Sequence, residues 1–287
     1  LRNFLSCDSI FIYYFYIGPY NLKQYFKPGS KDFNSDHCNV LKENPYQFMV
    51  TKRDLAIILP VYNPHQGWEG ELLCALGKIQ EIFSGVDYQI TIVNDGSTDG
   101  VDDIIRNGIL PEYPDIKYLC YPRNMGKGFA IRHAMERSAS DYYIYCDFDF
   151  PFGTDVLRKI YEILAGGSTN LVMASRNFNT FIRRLPFIRR LVSLSLILIN
   201  YCITGFRIKD TQAGLKGLDN RARSIFLTTK TNSFVFDLEF ALKCLKSGIK
   251  FGFVKVDLNP EIRFNNFSSA VLRRELVNFL KIIVGRV

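Results

Sequence analysis

The sequence predicts an α/β fold with a mostly parallel sheet flanked by helices on both faces. Two observations carry that prediction. Short, β-branched apolar runs alternate along the chain with segments of helical length, which is how a parallel sheet is built. Three of those runs also end in polar, turn-forming residues, at Asn63, Asp95 and Asp147. Ligands bind outside the carboxyl ends of strands in such sheets. Three polar loops on one edge therefore point to a site rather than to three unrelated turns.

The elements follow in order. Leu55-Ala56-Ile57-Ile58-Leu59 reads as a buried strand closed by Pro60-Val61-Tyr62-Asn63. A helix is expected from Trp68 to Phe83, then a strand over Ile90 to Val93 that ends in Asn94-Asp95-Gly96-Ser97-Thr98-Asp99. Another helix and a strand near Ile116 to Cys120 come next. Asn124-Met125-Gly126-Lys127-Gly128 opens a helix reaching about Arg137. The fourth strand, Tyr142 to Cys146, ends in Asp147-Phe148-Asp149. A fifth, Leu171 to Ala174, leads into Ser175-Arg176. After it come Arg183, Arg184, Arg189 and Arg190 and then an apolar stretch, Leu191 to Asn200. That stretch is too short to span a bilayer, which takes about 20 residues, and reads as a core or interfacial helix. A last strand, Phe251 to Asp257, enters a polar loop that carries Arg263 and ends at Ser268.

Asp147 and Asp149 carry the most chemistry. Two carboxylates at the end of a buried strand are costly unless they hold something positive. Their hard oxygens suit Mg²⁺ or Mn²⁺, and such an ion keeps positions open for phosphate oxygens. The pair therefore suggests a metal-bound diphosphate. Competing phosphate motifs are absent: Gly126-Lys127 is followed by Gly128 rather than Ser or Thr, and no Gly-X-Gly-X-X-Gly follows the first strand. The three histidines are scattered and form no His-X-X-X-His pair, with His133 expected on a helix surface or at a packing edge. Other roles suit several of these residues. Tyr62 can simply pack, Asp95 can cap the helix opening near Ser97, and the glycines at 126 and 128 can serve turn geometry alone.

Pro60-Val61-Tyr62-Asn63, Asn94-Asp95-Gly96-Ser97, Asn124-X-Gly126-Lys127-Gly128 and Asp147-X-Asp149 resemble, in order and spacing, the motifs of family 2 glycosyltransferases. The resemblance runs from about Asp54 to the C-terminus. It implies a GT-A (Rossmann-like) fold, a nucleotide-diphosphate sugar donor and a divalent cofactor, Mg²⁺ or Mn²⁺. It implies that Pro60, Tyr62, Asn63 and Asp95 hold the nucleoside and that Lys127 belongs to the donor site. Asp147 would lie near ribose and metal, with Asp149 the main metal ligand. Some relatives place a Gln two residues past the second Asp, where this chain has Pro151.

Ser175-Arg176, Arg189-X-X-X-Ser193 with Asn200 beyond, and Asp210-Thr211-Gln212-Ala213-Gly214-Leu215-Lys216 resemble the polyprenyl-phosphate branch of that family, the dolichyl-phosphate mannose and glucose synthases. The resemblance implies that Arg176, Arg189 and Ser193 bind the lipid phosphate, with Arg190 a rival for Arg189. Arg189 and Ser193 are four apart and share a helix face. A phosphate monoester is an anion near neutral pH, its second pKa being about 6, and needs no protein base. A glycan hydroxyl needs one. Asp210, Asp237 and Glu239 are the candidates, and Asp237 or Glu239 can instead orient the donor sugar or cap a helix. Arg263 stands where the branch closes a loop over the donor diphosphate, although the glycine and lysine of that loop are missing here. The alternatives are a family 2 transferase acting on a glycan hydroxyl and a non-catalytic nucleotide-sugar binding protein.

Composition bounds the rest. The chain has 287 residues, 47% hydrophobic and 22% charged, with a formal charge of +8. This suits one main globular domain, 51–267, with an N-terminal extension, 1–50, and a basic amphipathic C-terminal helix, 268–287. The helix and the charge fit contact with an anionic membrane surface, and packing of the helix against the domain fits as well. The chain shows no nucleic-acid recognition motif. Seven cysteines without Cys-X-X-Cys suggest reduced thiols and a cytosolic setting, and the charge and basic helix add a peripheral place on the cytoplasmic face of a membrane. Residue 1 is Leu, which fits a fragment or an altered start.

Overall fold

The computed structural model describes residues 52–259, apart from 99, 184, 186, 188, 189, 191, 192, 195, 196, 199, 200, 202, 203, 206, 207, 209 and 234. The expected N-terminal extension, the C-terminal amphipathic helix, Arg189 and Arg263 lie outside the described residues.

The chain alternates as expected. β1 (Arg53–Val61), α1 (Trp68–Ile82), β2 (Tyr88–Asn94), α2 (Val101–Ile104, running on as a π-helical turn, Ile105–Ile109), β3 (Lys117–Cys120), α3 (Lys127–Glu136) and β4 (Ser140–Tyr145) form the first half. α4 (Asp155–Ala165), β5 (Leu171–Arg176), α5 (Phe178–Arg183), β6 (Lys216–Asp219), α6 (Asn220–Phe226), α7 (Phe236–Lys246) and β7 (Phe251–Val256) follow.

The seven strands lie in the order β3-β2-β1-β4-β6-β5-β7. All neighbours are parallel except β6, which runs antiparallel to both β4 and β5. β1 pairs with β2 on one side and β4 on the other, with Ile57 opposite both Ile90 and Ile144. The chain thus winds outward from β1 in one direction and then in the other. The carboxyl ends of β1 and β4 flank the resulting switch point, where open α/β sheets hold their ligands.

Two apolar layers sandwich the sheet, because side chains alternate along each strand. Leu55, Ile57, Leu59 and Val61 face α1, α2 and α4. Ala56 and Ile58 face α3, α6 and α7. In α1 the buried residues are Trp68, Leu72, Ala75, Leu76 and Ile79, one stripe of a 3.6-residue period, and Glu69 and Glu71 complement the dipole of its first turn. In α4 Val156, Leu157, Ile160 and Leu164 make the same stripe. Asp219 caps α6, its carboxylate accepting the Ala222 N–H at 2.8 Å. Phe181, Ile182 and Leu185 form a separate small cluster with Leu194, Ile197 and Leu258, while Phe187 and Leu198 are exposed. Among the described residues no helix is long and apolar enough to cross a membrane.

Candidate active site

The loops after β1 and β2 are tied to each other. Asn63, in the left-handed region at φ 36°, accepts the Thr98 N–H on Oδ1 at 2.7 Å, and its own N–H donates to Ser97 Oγ at 2.9 Å. Asn94 Oδ1 accepts the Ser97 N–H at 2.9 Å. Asp95 is fully buried and accepts the N–H groups of Met125 and Gly126 at 2.8 and 2.9 Å. Burial pushes its carboxyl up to about 7, against the pull of those two N–H groups. A β-carbon on Gly96 would overlap the Arg123–Asn124 backbone, so only glycine lets the β2 loop and the loop before α3 meet. Asp95 therefore fastens the entrance of α3 rather than capping the helix near Ser97. Pro60 is buried at the end of β1, and Tyr62 is half-buried beside it.

That loop delivers Lys127 to the first turn of α3, where its ammonium pairs with Asp147. Both are buried, at 5% and 8% exposure. Burial pulls the ammonium down, but the Asp147 carboxylate more than offsets this and raises it above its ordinary value. Asp149 stands beside the pair. Its Oδ1 is shut off from solvent and has no hydrogen-bond partner, and burial together with Asp147 pushes its carboxyl up to about 8. A β-carbon on Gly214 would collide with the Asp147 carboxylate, which brings the 213–214 loop against the site. The Pro151 carbonyl accepts the Asn259 N–H at 2.9 Å, which ties the turn after Asp149 to the segment leaving β7.

No group of three or more His, Cys, Asp or Glu side chains among the described residues could hold a metal ion. Mg²⁺ commonly takes only one or two carboxylates and fills its remaining positions with water and phosphate oxygens. Asp147 and Asp149, with a buried acceptor atom left unpaired, fit that donor set.

Behind the pair lies a second charged group. Lys216 in β6 is fully buried, with Nζ 3.0 Å from Asp237 Oδ1 and donating to the Ala213 carbonyl at 2.9 Å. The Tyr145 hydroxyl donates to the same Asp237 oxygen at 2.6 Å. Burial raises the Asp237 carboxyl and lowers the Lys216 ammonium, each opposed by the other's charge. Glu239, 3% exposed, accepts the Lys230 N–H at 3.0 Å and the Thr231 N–H at 2.8 Å and pairs with Lys243 at 2.9 Å. Neither carboxylate is a surface charge. Asp237 neutralises a core lysine, and Glu239 holds the 230–231 loop. Arg132 holds the same loop, donating to Thr229 Oγ1 and the Thr231 carbonyl at 3.0 Å each and to Asn232 Oδ1. The loop in turn presses on α3, for the Gly128 N–H donates to the Asn232 carbonyl at 3.2 Å.

On the other side of β4, Arg176 at the end of β5 is gripped by Asp210. Nε donates to Oδ2 at 2.7 Å and Nη2 to Oδ1 at 2.8 Å. The guanidinium also lies over the Phe181 ring at 4.1 Å. Burial alone would raise the Asp210 carboxyl, but Arg176 holds it below its ordinary value. Ser193 is half-buried in helical backbone. Arg190, the rival of Arg189, donates to the carbonyls of Ile182, Arg183 and Leu185 at 3.1, 3.4 and 3.5 Å. It thereby caps the end of α5.

Sequence reasoning missed Lys216, Tyr145 and Arg132 as parts of this site. Lys216 ends the Asp210-to-Lys216 stretch, yet nothing local marks a lysine as fully buried. Tyr145 read as one more apolar strand residue, and Arg132 as one face of a helix.

Comparison with known proteins agrees with this geometry. The sequence profile of glycosyl transferase family 2 matches residues 56–215, more than half of the chain. A dolichyl-phosphate beta-glucosyltransferase of Trichomonas vaginalis is 28% identical over 213 residues, covering 71% of this chain and 65% of that protein. The dolichyl-phosphate beta-glucosyltransferase of Saccharomyces cerevisiae is 27% identical over 217 residues, covering 68% and 64%. The chain thus spans a little under two thirds of the length of either relative. A solved structure of glucosyl-3-phosphoglycerate synthase from Mycobacterium tuberculosis, in complex with Mn²⁺, UDP and glucosyl-3-phosphoglycerate, superposes with a TM-score of 0.57. It is 16% identical, with 81% of this chain and 80% of that chain covered, a likeness of fold. By its motifs, its sheet and the extent of the profile match, the chain belongs to glycosyl transferase family 2 and has the GT-A fold.

Proposed function

We propose that this chain transfers a hexose from a nucleotide-diphosphate sugar, UDP- or GDP-linked, to a polyprenyl phosphate, with inversion at the anomeric carbon. The observation that carries the reading is the Asp147–Asp149 pair at the sheet's switch point, with the Asp149 Oδ1 buried and unpaired. The names of the relatives support the acceptor class.

In this reading Pro60, Tyr62, Asn63 and the Asp95-fastened loop hold the nucleoside. Asp147 and Asp149 would hold Mg²⁺ or Mn²⁺, and such an ion would supply neutralisation of the charge developing on the leaving diphosphate. Lys127 and Arg263 bind the diphosphate side of the donor. A phosphate oxygen of the acceptor forms the new bond to the anomeric carbon as the bond to the β-phosphate oxygen breaks. The nucleoside diphosphate leaves with the electron pair, and no proton need be removed. The state of the remaining carboxylates favours this over a glycan hydroxyl. Asp210, Asp237 and Glu239 are all engaged in ion pairs or backbone hydrogen bonds, so none is poised as a base. Asp237 and Glu239 then act as positioning residues, through Lys216 and the 230–231 loop. Arg176, Arg189 and Ser193 receive the lipid phosphate, and Asp210 yields Arg176 to it. The chain works at the cytoplasmic face of a membrane, where such a lipid is reached.

The test is transfer of radiolabel from UDP- and GDP-hexoses into an organic phase, with Mg²⁺ or Mn²⁺, with and without polyprenyl phosphate in detergent. The expected outcome is metal-dependent transfer from one donor that Asp149→Ala and Arg176→Ala abolish. Donor hydrolysis without lipid product would sink the acceptor assignment.

A further inference from the structure

We infer that Lys127 is a built-in counterion that holds Asp147 until a nucleotide diphosphate takes its ammonium away, so that divalent cation and nucleotide load together. The inference rests on the metal–diphosphate reading of the Asp147–Asp149 site.

Three observations lead to it. First, the Lys127 ammonium is in direct contact with an Asp147 carboxylate oxygen, and both residues are nine-tenths or more buried. A divalent cation on Asp147 would meet that ammonium at contact range in a buried site, where like charges repel strongly. One of the two must leave. Second, the backbone on either side of Lys127 is packed closely against the 231–232 loop. A β-carbon on Gly126 would come within 2.5 Å of the Asn232 carbonyl, and one on Gly128 within 2.6 Å of the Thr231 carbonyl. The flexible four-carbon stem of the lysine is the part free to swing. Third, the next carboxylate inward is already taken. Asp237 Oδ1 carries both the Lys216 ammonium and the Tyr145 hydroxyl. Asp149, the other carboxylate that acts on the ammonium, is itself a ligand of the cation in this reading, so the ammonium has to give up both as the cation binds.

A diphosphate supplies what is missing. Lys127 opens α3, and a helix N-terminus favours anions. A diphosphate seated there offers oxygens to the ammonium on one side and to the cation on the other. The cation then gains Asp147 as the lysine gains phosphate. Each ligand removes the other's obstacle, and such coupling is reciprocal.

The experiment is Mn²⁺ binding to the full chain, read by the electron paramagnetic resonance of free Mn²⁺, alone and with UDP or GDP. Wild type should bind Mn²⁺ at least about tenfold more tightly with the nucleotide than without, within the usual range of two-ligand coupling. Lys127→Met should bind Mn²⁺ alone about tenfold more tightly than wild type and lose most of the nucleotide dependence. Lys127→Arg, which keeps the charge, should retain it, and this guards against a Met variant that fails to fold. Asp149→Ala reports on the site itself. If nucleotide-dependent, Asp149-dependent Mn²⁺ binding is seen but Lys127→Met binds Mn²⁺ alone no better than wild type, the counterion role is overturned and the site reading stands. If no mixture shows Asp149-dependent Mn²⁺ binding, both are overturned.

Discussion

Asp95 shows how much of one loop hangs on a single carboxylate. Both of its oxygens are committed to N–H groups, so Asp95→Asn would turn an NH₂ toward one of them. The variant should lose about 1–3 kcal/mol of stability, the usual cost of a buried donor left unpaired, read by urea denaturation. His133 offers a pH-dependent test. It stacks on Phe129 at 5.6 Å and bonds the Tyr121 hydroxyl, and burial with Arg137 pushes its imidazole down to about 4 from 6.5. The unfolded chain then binds more protons between those values. Stability should therefore fall as pH drops from about 6.5 to 4, and His133→Phe should flatten the fall in melting temperature. The Asp147–Asp149 pair was legible in the sequence because it ends an apolar run, where a carboxylate has no ordinary business. Lys216 was not, because its partner Asp237 lies far along the chain and burial is set by packing, not by neighbours in sequence.

Among the elements, α3 is the one whose placement decides the site. It meets the 229–233 loop through glycine, and a β-carbon on Gly128 would lie 2.6 Å from the Thr231 carbonyl and 3.0 Å from Phe236. Gly128→Ala should cost about 1–3 kcal/mol, as overpacking does, and should lower donor affinity in a nucleotide titration as Lys127 shifts. Strands β1 to β5 and β7 were legible because each is an apolar run closed by turn residues. β6 was not. It is Lys-Gly-Leu-Asp, four residues with neither alternation nor β-branching, and it becomes a strand because β4 and β5 flank it. Gly217 also has a packing reason: a β-carbon there would run into Ile160 of α4.

At the scale of the molecule, charge lies inside the sheet as well as at its edge. Lys216 and Asp237 join β6 to α7 across one face. Lys216→Met should destabilise by about 3–5 kcal/mol by stranding Asp237, whereas Lys216→Met with Asp237→Leu should cost much less than the sum of the single changes. A double-mutant cycle in urea measures this. The parallel character of the sheet was legible from the alternation of strands and helices. The reversed strand between β4 and β5 was not, since antiparallel insertion depends on contacts between β4, β5 and a segment distant from both.

That inserted strand has a consequence for biosynthesis. β4 is made early, with Asp147 just past its end, yet its second neighbour is residues 216–219. β5 and β7 reach the rest of the sheet only through β6. On the ribosome, the described residues made before β6 therefore leave that edge of β4 unpaired, the kind of edge that recruits chaperones or other chains. A nascent chain stalled at Leu215, where the family profile ends, would hold both aspartates and still lack the strand that joins β5 to β4.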